Sequence, residues 1–69
     1  MNSEISKQRL IRRSEVLSRV GLSRSSIYRR MTDGEFPRPI DIGGGRVAWL
    51  ESDIDGWINQ RLAEAGRAA

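Results

Sequence analysis

Two prolines separated by one residue, in Phe36-Pro37-Arg38-Pro39, divide this chain into two parts that no single helix can join. Each proline fixes its own φ, lacks an N–H and pushes its predecessor toward extended backbone. The segment therefore reads as a stiff connector, and the pattern on either side of it differs. Before it, Leu10 and Ile11 predict a short extended lead-in, and Ser14 and Glu15 predict the start of a helix that places Val16, Leu17 and Val20 on one face and stops at Gly21. Ser23 then predicts the N-cap of a second helix, with Ile27 and Met31 spaced i, i+4 and Gly34 as its C-terminal breaker. After the connector, Ile40 and Ile42 alternate with Asp41, Val47 and Trp49 alternate with Arg46 and Ala48, and Gly43-Gly44-Gly45 lies between the two runs. That pattern predicts a β-hairpin with a glycine tip. Ser52, Asp53 and Asp55 predict a capping residue and two acids at the start of a third helix, whose apolar positions Ile54, Trp57, Ile58, Leu62 and Ala65 share a face.

The expected fold class is mainly α with a small β-hairpin: three helices plus a wing. Residues 1–8 show no periodicity and are expected to be a flexible arm, 9–65 to be the folded domain and 66–69 to be a flexible tail. A 69-residue chain supports one modest core. It has no cysteine and no histidine, so neither a disulfide framework nor the usual zinc ligand sets are available, and no cofactor or metal is expected. The apolar runs are too short for a membrane span or a signal peptide, which predicts a cytoplasmic protein with no membrane partner.

Charge distribution is more informative than the net charge of +3. From Arg9 to Arg30 there are seven arginines against one acid, Glu15, while from Met31 to Ala69 there are four arginines against seven acids. Eleven of the twelve basic residues are arginine, whose planar fork matches phosphates and guanine edges in a way that lysine does not. The clustering points to a polyanionic partner.

A helix, a glycine-containing turn and a second helix have the spacing of a helix-turn-helix, whose second helix sets its first turns against base edges. With Ile27 and Met31 turned to the core, Ser25, Arg29 and Thr32 point most outward, Ser26 and Tyr28 sit on opposite shoulders, and Arg24 lies near the N-terminus. Hydroxyls and arginines in this arrangement suit contact with phosphates and bases.

Gly21-Leu22-Ser23-Arg24-Ser25-Ser26-Ile27-Tyr28-Arg29, then Gly34-Glu35-Phe36-Pro37, then Trp49 with Glu51-Ser52-Asp53-Ile54 and Trp57-Ile58, resemble in order and spacing the AlpA family of prophage regulators, relatives of phage excisionases and MerR-like proteins. The resemblance covers about residues 10–62. It implies a MerR-like winged helix-turn-helix that binds double-stranded DNA as a transcriptional regulator, or assists prophage excision, with another copy of itself or an integrase as a partner on DNA. It assigns Ser23 through Arg29 to the major groove and Gly43 through Arg46 to the wing. Arg30 stands where the family often has an apolar residue, and Leu50 where it often has a basic one.

The residues expected to contact DNA are Ser23, Arg24, Ser25, Ser26, Tyr28, Arg29, Arg30, Gly44, Gly45 and Arg46. For Tyr28 and Arg30, core packing competes with phosphate contact, and for the glycine tip a plain turn competes with close approach to DNA. Trp49 and Trp57 fall on apolar faces and are expected in the core. Asp53, Asp55 and Glu64 are expected to cap or solvate helices, because no nucleophile and base accompany them. The expectation is a non-enzymatic regulator. Two alternatives stand beside it: an excisionase-type protein that bends attachment-site DNA, and a protein-interaction module such as an antirepressor. A charged rather than aromatic face disfavours the last.

Overall fold

The computed structural model describes residues 8–67; the expected arm over 1–8 and the last two residues of the expected tail lie almost wholly outside that range. The chain runs β1 (Leu10–Ile11), α1 (Arg13–Val20), α2 (Arg24–Thr32), β2 (Ile40–Gly43), β3 (Arg46–Leu50) and α3 (Glu51–Glu64). This is a winged helix-turn-helix: three helices and a small antiparallel sheet, in the order β1-β3-β2. The lead-in at Leu10 and Ile11 is thus a true strand, paired with the last residues of the hairpin, Leu10 to Leu50 and Ile11 to Trp49.

Helix α1 ends at Gly21, which takes φ 72° and donates its N–H to the Leu17 carbonyl at 2.9 Å. That left-handed position strains a residue with a Cβ, so glycine sets where the chain turns. Only Gly21, Leu22 and Ser23 separate the two helices. The Ser23 side chain then caps α2 by accepting from the Ser26 N–H at 3.2 Å, as its position predicts. At the far end, Gly34 N–H donates to the Met31 carbonyl and Glu35 N–H to the Arg30 carbonyl, the paired bonds of a Schellman ending.

The core consists of Ile11, Val16, Ile27, Met31, Phe36, Trp49 and Ile54, with Leu17, Val20, Leu22, Tyr28, Val47, Trp57 and Ile58 packed around it. Every element except β2 contributes to it, so the helices cannot move independently of the sheet. The connector is fixed from both sides: Trp49 Nε1 donates to the Pro37 carbonyl at 2.9 Å, Trp57 Nε1 to Glu35 at 3.0 Å, and Arg38 to Met31 at 3.1 Å. Both tryptophans serve structure, as expected, although Trp57 is only half-buried and meets Phe36 edge-on at 5.0 Å between ring centres.

Several local expectations are corrected. Helix α1 begins at Arg13, one residue before Ser14, with Arg12 as an N-cap that makes no side-chain bond. Ser52 is not a cap: β3 runs directly into α3, Leu50 takes the N-cap position, and the Glu51 N–H is met by the Arg9 carbonyl at 2.8 Å. The helix thus starts before Ser52, which falls within its first turn and has no capping position, and the residue preceding β1 satisfies one of the N–H groups left open at that end. Ala65 is exposed and closes α3 as its C-cap, outside the buried stripe. In the hairpin, Ile40 and Ile42 remain 43% and 41% exposed while Ala48 is buried, the reverse of the expected alternation. Ile40 pairs with Ala48 and so shares its face, opposite Trp49; the edge strand leaves Ile40 open, whereas both flanking strands screen the short Ala48 side chain. Ile42 is the extra residue of a bulge between Asp41 and Gly43, which breaks the period of two.

Candidate nucleic-acid interface

The second helix carries the candidate surface because its other face is committed to the core. Ile27 is completely buried and Met31 nearly so. With those two inward, the helical period leaves Arg24, Ser25, Arg29 and Thr32 exposed, and Ser26, Tyr28 and Arg30 half-buried at its borders, which matches the wheel drawn from the sequence. Thr32 Oγ1 donates to the Tyr28 carbonyl at 3.1 Å, so this hydroxyl is partly spent on its own helix. The Arg24 guanidinium lies 5.9 Å from the centre of the Tyr28 ring, a contact that steadies a long side chain at the start of α2. Ser23 accepts with its oxygen as the cap and keeps a hydroxyl proton to donate elsewhere.

At the wing, Gly43 pairs with Arg46 and leaves Gly44 and Gly45 as a two-residue loop, both at positive φ, 63° and 74°. That combination belongs to the tight hairpin turns whose twist suits adjacent strands, and it keeps side chains off the tip. Asp41 Oδ1 accepts from the Gly43 N–H at 2.8 Å and steadies the bulge beneath. Arg46 follows, exposed, at the start of β3.

The arginines separate into two groups that the sequence does not distinguish. Arg19 bonds to Glu51 at 3.3 Å and to Asp55, and Arg9 bonds to the same Glu51 oxygen at 2.8 Å. These pairs fasten β1 and α1 to the start of α3, so two members of the basic cluster serve the fold. The other five of that cluster, Arg12, Arg13, Arg24, Arg29 and Arg30, form no salt bridge among the described residues. Arg12 and Arg13 were not singled out from the sequence. They line a groove of about 440 Å³ with Ser14, Gly45, Arg46 and Val47, so the fold brings the wing tip beside the start of α1. The sequence signal was their membership of the cluster; what it lacked was the long-range placement of the wing.

Residues 9–62 match the family described as prophage CP4-57 regulatory protein (AlpA). This chain belongs to the AlpA family. Two relatives are similar along most of its length. An uncharacterised protein of enterobacteria phage P4, ORF88, is 43% identical over 60 residues, spanning 87% of this chain and 68% of the phage protein. The DNA-binding transcriptional activator AlpA of Escherichia coli K12 is 32% identical over 59 residues, spanning 77% of this chain and 84% of that protein. The family match takes in both helices of the AlpA helix-turn-helix, the wing and most of α3.

Proposed function

We propose that this AlpA-family protein is a sequence-specific, double-stranded-DNA-binding transcriptional regulator that acts by binding and not by catalysis. The observation that carries this reading is the outer face of α2. Arg24, Ser25 and Arg29 are exposed beside a capped N-terminus, and neither arginine has a carboxylate partner among the described residues. In a helix-turn-helix the first turns of the second helix enter the major groove, where an arginine bonds guanine O6 and N7 together. Arg29 and Arg24 take that role. Ser23, Ser25, Ser26 and the Tyr28 hydroxyl bond phosphates or base edges along the helix, with Arg30 on the backbone at its border. The wing, Gly44, Gly45 and Arg46, lies on the adjacent backbone. The similar E. coli protein, described as a DNA-binding transcriptional activator, supports the reading.

The test begins with selection of duplexes from a random pool by the full chain, followed by titration of the enriched duplex and a random one over a range of salt. The expected result is binding of the enriched duplex at least about 10³-fold tighter than the random one. The logarithm of affinity should fall linearly with the logarithm of salt, by about 0.9 per phosphate contacted. Failure to enrich any duplex, or affinity indifferent to salt, overturns the reading.

A further inference from the structure

We infer that the groove between the start of α1 and the wing tip is a phosphodiester clamp, in which Arg12 and Arg13 from one side and Arg46 from the other hold a single backbone phosphate of the bound duplex. The inference rests on the DNA reading above, and it adds a site apart from the α2 face. Three guanidinium-bearing residues line one groove, together with Ser14 and Gly45, and no acid lines it. The only acid in the first turn of α1, Glu15, is exposed and lies outside that lining, and Asp41 at the base of the wing is engaged by the Gly43 N–H. Like charges gathered around one concavity repel one another, a cost removed when an anion enters.

Elsewhere this protein neutralises clustered arginines with its own carboxylates, as at Arg9, Arg19 and Arg61. None of the three groove arginines makes a salt bridge or a side-chain hydrogen bond among the described residues, so their donors are left for a partner. The helix end contributes in the same direction. The first intrahelical bond of α1 runs from Val16 N–H to the Arg12 carbonyl, and no side chain caps the N–H groups before it. Those donors and the positive end of the helix belong to the turn whose Arg12, Arg13 and Ser14 line the groove. A phosphodiester suits the set. It is a compact monoanion whose oxygens accept from arginine forks and backbone N–H groups together. The first helix of a helix-turn-helix crosses the DNA backbone, which brings phosphates to this end of α1.

The experiment is phosphate-ethylation interference on the enriched duplex, with the parent chain, Arg13→Gln, Arg46→Gln, the double variant and Arg29→Gln as a control. Glutamine keeps much of the stem that half-buries Arg13, and thermal melting of each variant confirms that it is folded. The clamp predicts that Arg13→Gln and Arg46→Gln each become insensitive to ethylation at the same single phosphate, while Arg29→Gln retains that sensitivity. The double variant should lose about 0.9 from the salt slope, the value of one phosphate and not two. Loss of sensitivity at two different phosphates, or at none, overturns the clamp while leaving the DNA reading intact. A parent chain that binds no duplex overturns both.

Discussion

Arg19 and Arg29 stand in consecutive helices, in the same basic stretch of sequence, and carry the same charge. Arg19 reaches across to Glu51 and Asp55 and holds α1 against the start of α3; Arg29 stands exposed on α2 without a carboxylate partner among the described residues. The acids that make the difference lie 32 and 36 residues further along the chain, where only the folded sheet brings them into reach. A run of positive charge in sequence is therefore not a patch of positive charge in space. Two of the seven arginines in that stretch, Arg9 and Arg19, secure the scaffold, and the other five are left on α2 and beside the wing.

The comparison can be broken most severely from beneath. Trp49 is completely buried at the centre of the sheet, pairs with Ile11 across to β1 and bonds Pro37 through its indole N–H. Trp49→Ala is expected to lower stability by about 3 to 5 kcal/mol, comparable with the whole stability of a domain this small. Circular dichroism melting should show loss of the cooperative transition, and DNA binding should vanish with it. If Trp49→Ala melts as the parent does, the scaffold does not depend on the residues identified as its core.

The next largest effect separates function from fold. Arg29→Ala is expected to cost about 1 to 3 kcal/mol of binding to the enriched duplex, to narrow its preference over random DNA, and to leave the melting transition nearly unmoved. Arg24→Ala should behave similarly, reduced by whatever part of its side chain is held against Tyr28. Equal weakening on both duplexes would place these arginines on phosphates instead of bases.

What could be read before the structure follows the range of the forces involved. Helix ends set by Gly21, Ser23 and Gly34, the set of α2 side chains turned away from the core and the glycine turn all depend on neighbours within a few residues, and each was legible. The misread positions answer to distant partners. Ser52 does not cap because β3, held by its pairing to β1, runs directly into α3 and starts the helix at Glu51, and Ile40 is exposed because it lies on an edge strand, on the sheet face opposite Trp49. The division of the arginines has the same origin: Arg13 and Arg46 come to line one groove, and Arg19 reaches Asp55, only once the three-stranded sheet has formed.

The smallest expected effect tests the comparison most directly. Arg19→Ala and Arg29→Ala remove the same unit of charge, so any influence that depends only on net charge must be equal in the two. Near physiological salt the Debye length is about 8 Å, so distant exposed charges contribute little and contact decides the outcome. Arg19 is already compensated by two carboxylates, one of them half exposed, and its pairs are worth only about 0.2 to 1 kcal/mol to stability. Arg19→Ala should therefore lower the melting temperature slightly, more at low salt than at high, and leave the salt slope of DNA binding unchanged. Arg29→Ala should instead leave the melting temperature nearly unmoved and weaken binding to the enriched duplex, with a salt slope close to the parent's because its bonds go to bases and not to phosphates. Parallel melts and titrations at two salt concentrations measure the four quantities, and a matching loss of DNA affinity in the two variants would show that Arg19 leaves its carboxylates to join the interface.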